Sequence, residues 1–259
     1  MDITCDGVVI RETEYGESDK IVTFLCAEYR KITVMAKGVR SIKSKNSSAV
    51  QLFCASTFEM VEKNGRYTLK TASINDSFYS VRDNIERFAL ASYFADICNT
   101  VCSENNDERE MLRLLLNSFY AMAHFKEIPL WRIKCAFEMK CMQASGLAPD
   151  LSECTGCAKP AVDSTSDEGD YLFSPADGGF ICPACLAEYG EKPIIPVGVH
   201  TVDALLYLLS SPQSRMLRFP LPDEPSVIYE LCNLCERYLS VQAQKRFETL
   251  SFYKSVCVM

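Results

Sequence analysis

The sequence predicts an α+β protein, with a small N-terminal β-barrel followed by an α-helical domain that carries an inserted cysteine-rich module. Three observations predict it. Apolar residues recur with period two over the first 75 residues, that period lengthens to a helical one after Asn75, and two Cys-x2-Cys pairs sit in a Gly- and Pro-containing stretch between helices. The expected boundaries are 1–78 for the barrel, 79–259 for the helical domain and about 151–196 for the inserted module.

The strands follow in order. Ile3 to Ile10 is the first, and Lys20 to Cys26 the second, with apolar side chains on both faces, as suits a strand covered on both sides. In Lys31 to Lys37, Ile32, Val34 and Ala36 point one way while Lys31, Thr33, Met35 and Lys37 point the other, giving a basic outer face. Gln51 to Lys63 and Arg66 to Ser73 read as a hairpin around Asn64-Gly65, a dipeptide that tolerates positive φ at a two-residue turn. Arg66, Thr68 and Lys70 share one face of the second arm. Five short strands in under 80 residues fit a small Greek-key barrel of the OB type, one of several small β folds such a pattern can build.

The helices come next. Phe88, Ala91, Phe94, Ala95, Cys98, Val101 and Cys102 form one apolar stripe, and Met111, Leu114, Leu115, Ser118, Phe119 and Met122 form another. Asp107 and Glu110 have the spacing of a capping box. Pro129 marks the start of a third helix running to about Gly146, with further helices from Thr201 to Ser210 and from Ser226 to about Leu250.

Between them, Cys154-x2-Cys157 and Cys182-x2-Cys185 are separated by 24 residues, slightly more than the usual gap of about 15 to 20, and the polar insertion Asp163 to Asp170 accounts for the excess. Two such knuckles supply four thiolates to one tetrahedral zinc ion and leave no open position, which makes the zinc structural rather than catalytic. Gly156 and Gly178-Gly179 supply the tight backbone that knuckles need. Cys232 and Cys235 repeat the spacing, but they lie on the helical stripe Ile228, Leu231, Cys232, Cys235 and Leu239. They read as core, with a second metal site or a redox pair as the alternative, and Cys98 and Cys102 read the same way. Cys5, Cys26, Cys54, Cys135, Cys141 and Cys257 are isolated.

Composition narrows the function. The chain has 259 residues, 48% apolar and 24% charged, an ordinary globular balance. No secretory leader or bilayer-length apolar run is legible, so its 14 cysteines are expected to be reduced thiols or ligands in a cytoplasmic protein without membrane contact. With two histidines, no Walker A sequence and no His-x-Glu before a Pro-Cys-x-x-Cys, no catalytic pattern emerges, and the chain is expected not to be an enzyme. Net charge is −7, yet Tyr29 to Phe58 holds Arg30, Lys31, Lys37, Arg40, Lys43 and Lys45 and no acid. Such a tract is either a phosphate-binding field or a solvated loop.

Gly7-Val8-Val9, Tyr15-Gly16-Glu17-Ser18-Asp19-Lys20-Ile21-Val22-Thr23, Ala36-Lys37-Gly38-Val39-Arg40 and Lys43-Ser44 together resemble the N-terminal domain of the bacterial RecO recombination mediators. The likeness continues through Phe137-Glu138-Met139, Gly146-Leu147-Ala148-Pro149, the first knuckle, Phe173-Ser174, Gly178-Gly179, the second knuckle and Leu250-Ser251-Phe252. Arg30 stands where that family usually has glycine. The resemblance implies an OB-fold barrel, a helical domain and a four-cysteine zinc module. It also implies binding of single- and double-stranded DNA, annealing of complementary strands, and, with RecR, loading of RecA onto strands coated by single-strand-binding protein, with RecF a candidate partner and the nucleoid the place of action.

Lys31 and Lys37 on one strand, Arg66 and Lys70 on another, and Arg30, Arg40, Lys43 and Lys45 nearby are the expected DNA contacts, with Cys154, Cys157, Cys182 and Cys185 holding zinc. Phe53, Phe58 and Tyr67 either stack on bases or fill the barrel. By family analogy a basic and apolar groove receives the acidic tail of single-strand-binding protein, with Arg132, Lys134 and Lys140 as candidates. The competing expectation is a zinc scaffold that assembles a repair complex through protein contacts without touching DNA.

Overall fold

The computed structural model describes residues 1–26, 30–103, 107–161 and 170–257. The insertion Asp163 to Asp170 lies outside these apart from Asp170, as does the side chain of Arg30. Contacts divide the chain into two compact units, 1–128 with 247–259, and 129–246.

In the first unit, β1 (Asp2–Tyr15), β2 (Asp19–Cys26), β3 (Arg30–Ala36), β4 (Ala55–Lys63) and β5 (Arg66–Asp76) close a barrel in the order β1-β2-β3-β5-β4. This is the five-stranded Greek-key closure of the OB type. β1 is longer than expected because it serves two neighbours: its first half pairs with β4 and its second with β2, with a register shift between Val9 and Arg11. A bulge of this kind bends a strand so that a small sheet can close on itself. Gly7 sits where both pairings overlap, and a Cβ there would come within 2.6 Å of the Leu25 carbonyl oxygen, so only glycine allows the strands to approach. β3 and β5 run parallel, in register at Val34–Tyr67 and Met35–Thr68.

The alternation read in β3 holds, with Ile32, Val34 and Ala36 buried and Thr33 and Lys37 exposed. Asn64 and Gly65 both have positive φ, as their hairpin turn requires. β4 starts at Ala55, four residues later than expected, because Gln51–Cys54 is a turn in which Phe53 adopts φ 70°. Its fully buried ring packs edge-on against Phe88 and Phe119, at 5.5 and 5.4 Å. Phe58 stacks on Phe24 at 4.1 Å, and Tyr67 packs on the same core. These rings hold the fold together.

Helices α1 (Tyr79–Arg82), α2 (Ile85–Val101) and α3 (Arg109–His124) complete this part of the unit. Asn84 caps α2 by accepting the Arg87 amide at 2.9 Å. The capping box expected from Asp107 and Glu110 does not form. Asp107 instead accepts the Arg109 amide at 3.1 Å, and Glu108 at the cap position turns back to the Ser103 amide.

The second unit opens with α4 (Leu130–Ala144), which starts beside Pro129 as expected and is buried without interruption from Ile133 to Met142. A four-stranded sheet follows, of β6 (Asp150–Cys154), β7 (Tyr171–Ser174), β8 (Gly179–Phe180) and β9 (Ile195–Val197), in the order β6-β8-β7-β9. The unit is completed by the short α5 (Pro183–Leu186), α6 (Val199–Ser210), a 3-10 turn at Gln213–Arg218 and α7 (Pro225–Gln242). The single helix expected from Ser226 to Leu250 is two. Gln244 takes φ 49° and the Lys245 amide returns to the Ser240 carbonyl, which ends α7. The chain then re-enters the first unit as α8 (Glu248–Val256), where Phe247 packs edge-on against Tyr93 and Thr249 donates to Asp96. Among the described residues no helix is long and apolar enough to cross a membrane.

Candidate nucleic-acid interface and metal centre

The basic residues named as expected contacts in the first unit lie on β3, on β5 and on the loop from Lys37 to Cys54. Asn46 donates to the Lys70 carbonyl and accepts the Ala72 amide, both at 3.1 Å, which fastens the loop beside β5. Its other end is fastened to the β1–β2 turn: Asp19 accepts the Gly38 amide at 2.7 Å, Ser18 accepts the Arg40 amide at 2.9 Å, and Arg40 donates to the Gly16 carbonyl. Gly16 and Gly38 both have positive φ there. The Gly38 and Ser18 donors hold the Asp19 carboxyl below its ordinary value, so it is an anion at neutral pH. The tripartite motif around Tyr15, Asp19 and Gly38 is therefore a latch that fixes the basic loop.

Within this frame the expected DNA contacts separate into two groups. Lys37, Lys43, Lys45 and Arg66 are exposed and make no side-chain hydrogen bond or ion pair among the described residues. The others have partners. Lys70 is paired with Asp2 at 2.8 Å and Arg40 with Glu14 at 2.9 Å. Lys31 points its ammonium at the Asn99 carbonyl, 2.8 Å away in the last turn of α2, where a cation favours the helix end. For Arg30 only the backbone, paired with Cys26, is described. Ile42, which sequence reasoning passed over, is fully exposed between Arg40 and Lys43. Only its adjacency to three cations could have drawn attention to it.

In the second unit the four cysteines of the two knuckles converge, with all sulfurs within 4.8 Å of one another. Cys157 and Cys182 sulfurs are 3.8 Å apart, which matches the tetrahedral edge of about 3.8 Å that follows from zinc–sulfur bonds of about 2.3 Å. The Gly156 and Cys182 amides donate to the Cys154 sulfur at 3.4 and 3.2 Å. Burial pushes the Cys154 thiol up, but the amides of Cys182, Gly156 and Cys157 outweigh it and bring it to about 6. A Cβ on Gly156 would lie 3.0 Å from the Cys185 sulfur, so the knuckle closes because that residue is glycine. Gly179 likewise admits Thr155, with only 2.6 Å available to an added Cβ. The donor set fits a closed, four-sulfur structural metal site.

The expected tail-binding residues do not form a surface. Lys134 is buried, with its ammonium 3.1 Å from Glu138 and 2.9 Å from Glu236. Lys140 is buried as well and donates to Gln143 and to the Ser211 carbonyl. Both belong to a helix with no solvent face at these positions, so neither offers its charge to a partner. Arg132 differs. It is partly exposed, lies over the rings of Trp131 and Phe219 at 5.0 and 4.2 Å, and donates to the Phe219 carbonyl at 2.6 Å.

Comparison with known proteins agrees with this architecture. The family model for the N-terminal part of recombination protein O matches residues 1–78, and that for its C-terminal part matches residues 82–251. The chain is 32% identical over 250 residues to DNA repair protein RecO of Acetivibrio thermocellus, covering 96% of this chain and 95% of that protein. It is 29% identical over 258 residues to the protein of the same name from Alkaliphilus metalliredigens, covering 99% and 100%, and 30% identical over 208 residues to that of Bacillus pumilus, covering 80% and 78%. Matched along nearly its whole length by both family models and by such relatives, the chain belongs to the RecO family of DNA repair proteins.

Proposed function

We propose that the protein is a recombination mediator that binds single- and double-stranded DNA through its barrel, residues 1–78. It anneals complementary strands and, with RecR, assists loading of RecA onto strands coated by single-strand-binding protein, with RecF as a further candidate partner. The observation that carries this reading is the set Lys37, Lys43, Lys45 and Arg66, exposed cations that make no side-chain hydrogen bond or ion pair among the described residues, on a latched loop and the β4–β5 hairpin of an OB-type barrel. Phosphates would neutralise them, a contact largely indifferent to sequence. Arg30, Lys31, Arg40 and Lys70 would contribute less, since the described ones already have carbonyl or carboxylate partners. Annealing makes and breaks no covalent bond, so no catalytic residue is needed. Zinc held by Cys154, Cys157, Cys182 and Cys185 would stabilise the helical part, residues 79–259, in a protein acting at the nucleoid in the cytoplasm.

Annealing of two complementary oligonucleotides, measured at low and moderate salt without nucleotide, tests this reading. The protein should accelerate annealing, and the acceleration should fade with salt. Lys37→Ala with Lys43→Ala should weaken single-strand binding equally across sequences and flatten the plot of log affinity against log salt by about 0.7 per lost phosphate contact. An unchanged slope would remove these lysines from the interface, and no acceleration at either salt would favour the DNA-free scaffold. Arg132 is the member of the tail-binding set that the fold leaves accessible, and its charge and flanking rings suit an acidic peptide with an apolar end. Arg132→Ala should weaken binding of a single-strand-binding-protein tail peptide by roughly tenfold in fluorescence anisotropy, from one charge-assisted contact. Undiminished affinity would place the tail elsewhere.

A further inference from the structure

Cys135 has no motif in the sequence, yet in the fold it lies beside the helical pair Cys232 and Cys235. Its sulfur is 3.5 Å from that of Cys232 and lies within 4.8 Å of that of Cys235. Ligand atoms of Cys135, Glu138 and Cys235 all lie within 4.8 Å of one another, and all three residues are buried. The donors come in two pairs at i, i+3 spacing: Cys135 and Glu138 on α4, Cys232 and Cys235 on α7. Residues three apart share a helix face, and two packed helices that each present such a pair are a recurrent way to build a metal site in a helical core.

We propose that Cys135, Cys235 and Glu138, joined by Cys232 through its contact with Cys135, form a second metal site, for a thiophilic divalent cation such as zinc. The sulfur separation at Cys135 and Cys232 is close to the tetrahedral edge of about 3.8 Å expected for two thiolates on one zinc ion. Three sulfurs select a thiophilic ion over magnesium or calcium. As each zinc–sulfur bond forms, the thiol proton leaves to solvent, so no oxidant or reductant is required. Lys134 is the outer support: its ammonium bridges Glu138 and Glu236, which orients the carboxylate and offsets the negative charge that thiolate ligands bring into the core. The site has no solvent-exposed ligand, so the ion would be taken up during folding and would clamp α4 to α7. This site is separate from the knuckle centre and does not depend on it.

Metal analysis of the full-length chain, expressed in zinc-supplemented medium and purified without chelator, tests the assignment. Two zinc ions per chain are expected. Cys135→Ala with Cys235→Ala should leave one, and Cys182→Ser should also leave one, through loss of the other ion. If the knuckle centre is the one that fails to bind, zinc vanishes in the Cys135 and Cys235 variant but survives in Cys182→Ser. Cadmium NMR of the unmutated protein guards against misfolded variants, because a site with three sulfurs and one oxygen resonates apart from a four-sulfur site. A single zinc unaffected by changing Cys135 and Cys235, a lone four-sulfur cadmium signal, a metal-free protein, or a Cys135–Cys232 disulfide in non-reducing mass spectrometry would each overturn the proposal.

Discussion

Serine at Cys182 is expected to strip the ion from the knuckle centre and leave the segment from Asp150 to Val197 unable to hold its shape. The buried core beneath that centre consists of Cys154, Ile181 and Cys182, with Leu172, Cys185, Tyr189 and Ile194 packed partly against it. Leu151, Phe173, Phe180, Ile195 and Val197 on the strands are buried as well, but strands this short, β8 having two residues, do not by themselves hold the two knuckles against the entropy of ordering them. Four-cysteine zinc contributes an apparent binding energy of about 10 to 16 kcal/mol in zinc-finger peptides, which is the scale of a whole domain's stability. A serine hydroxyl does not ionise near neutral pH and cannot replace the thiolate. The substitution also falls on the residue whose amide supports Cys154 and whose sulfur touches Cys157. The measurable outcome is loss of one zinc per chain together with rapid proteolysis within 150–197, while single-strand binding by the barrel keeps its salt slope. A variant that retains both the ion and protease resistance would show that the centre is not a structural metal site.

That the barrel and the knuckles are legible in the sequence while the burial of Lys134 and Lys140 is not has a physical reason. Strand alternation is local, so Ile32, Val34 and Ala36 announce their own burial, and Asn64-Gly65 specifies its own turn. Knuckle spacing is also local, and the requirement of a tetrahedral site for four sulfurs pairs the two knuckles across the intervening chain. The β3–β5 pairing, the bend of β1 at Val9–Arg11 and the arrival of Cys135 beside Cys232 depend on distant segments, and no short window encodes them. The break after Gln242 escaped because the apolar stripe of α7 runs up to it and the residue that takes positive φ is Gln244 rather than glycine. Lys134 reads as exposed because a lysine on a helix is ordinarily solvated. The signal was present in its neighbours: Ile133, Cys135, Ala136, Phe137 and Met139 leave no polar stripe, and Glu138 stands four residues on. A lysine and a glutamate four residues apart, with apolar residues on either side of each, can satisfy each other inside a core.

That pair leads to the other large effect, at Lys134. Burial opposes its charge, but Glu138, the Cys135 sulfur and Glu236 around it outweigh the cost and hold the ammonium well above its ordinary value. Lys134→Met keeps most of the volume and removes the charge, which leaves the Glu138 and Glu236 carboxylates facing each other in a core with little water. Removing one partner of a buried ion pair costs about 3 to 5 kcal/mol, because the remaining charge must be neutralised or hydrated. In urea unfolding of the full chain, the transition of the second unit should move to markedly lower denaturant. Lys70→Met provides the contrast, since it deletes the same charge from the exposed pair with Asp2, where water screens the loss and the midpoint should barely change. Equal shifts for the two variants would mean that the Lys134 cluster is hydrated in solution and that α4 is not the closed centre of its unit. A large shift at Lys134 alone would instead show that its positive charge is committed to the two acids packed around it, which leaves Arg132 as the accessible cation of α4.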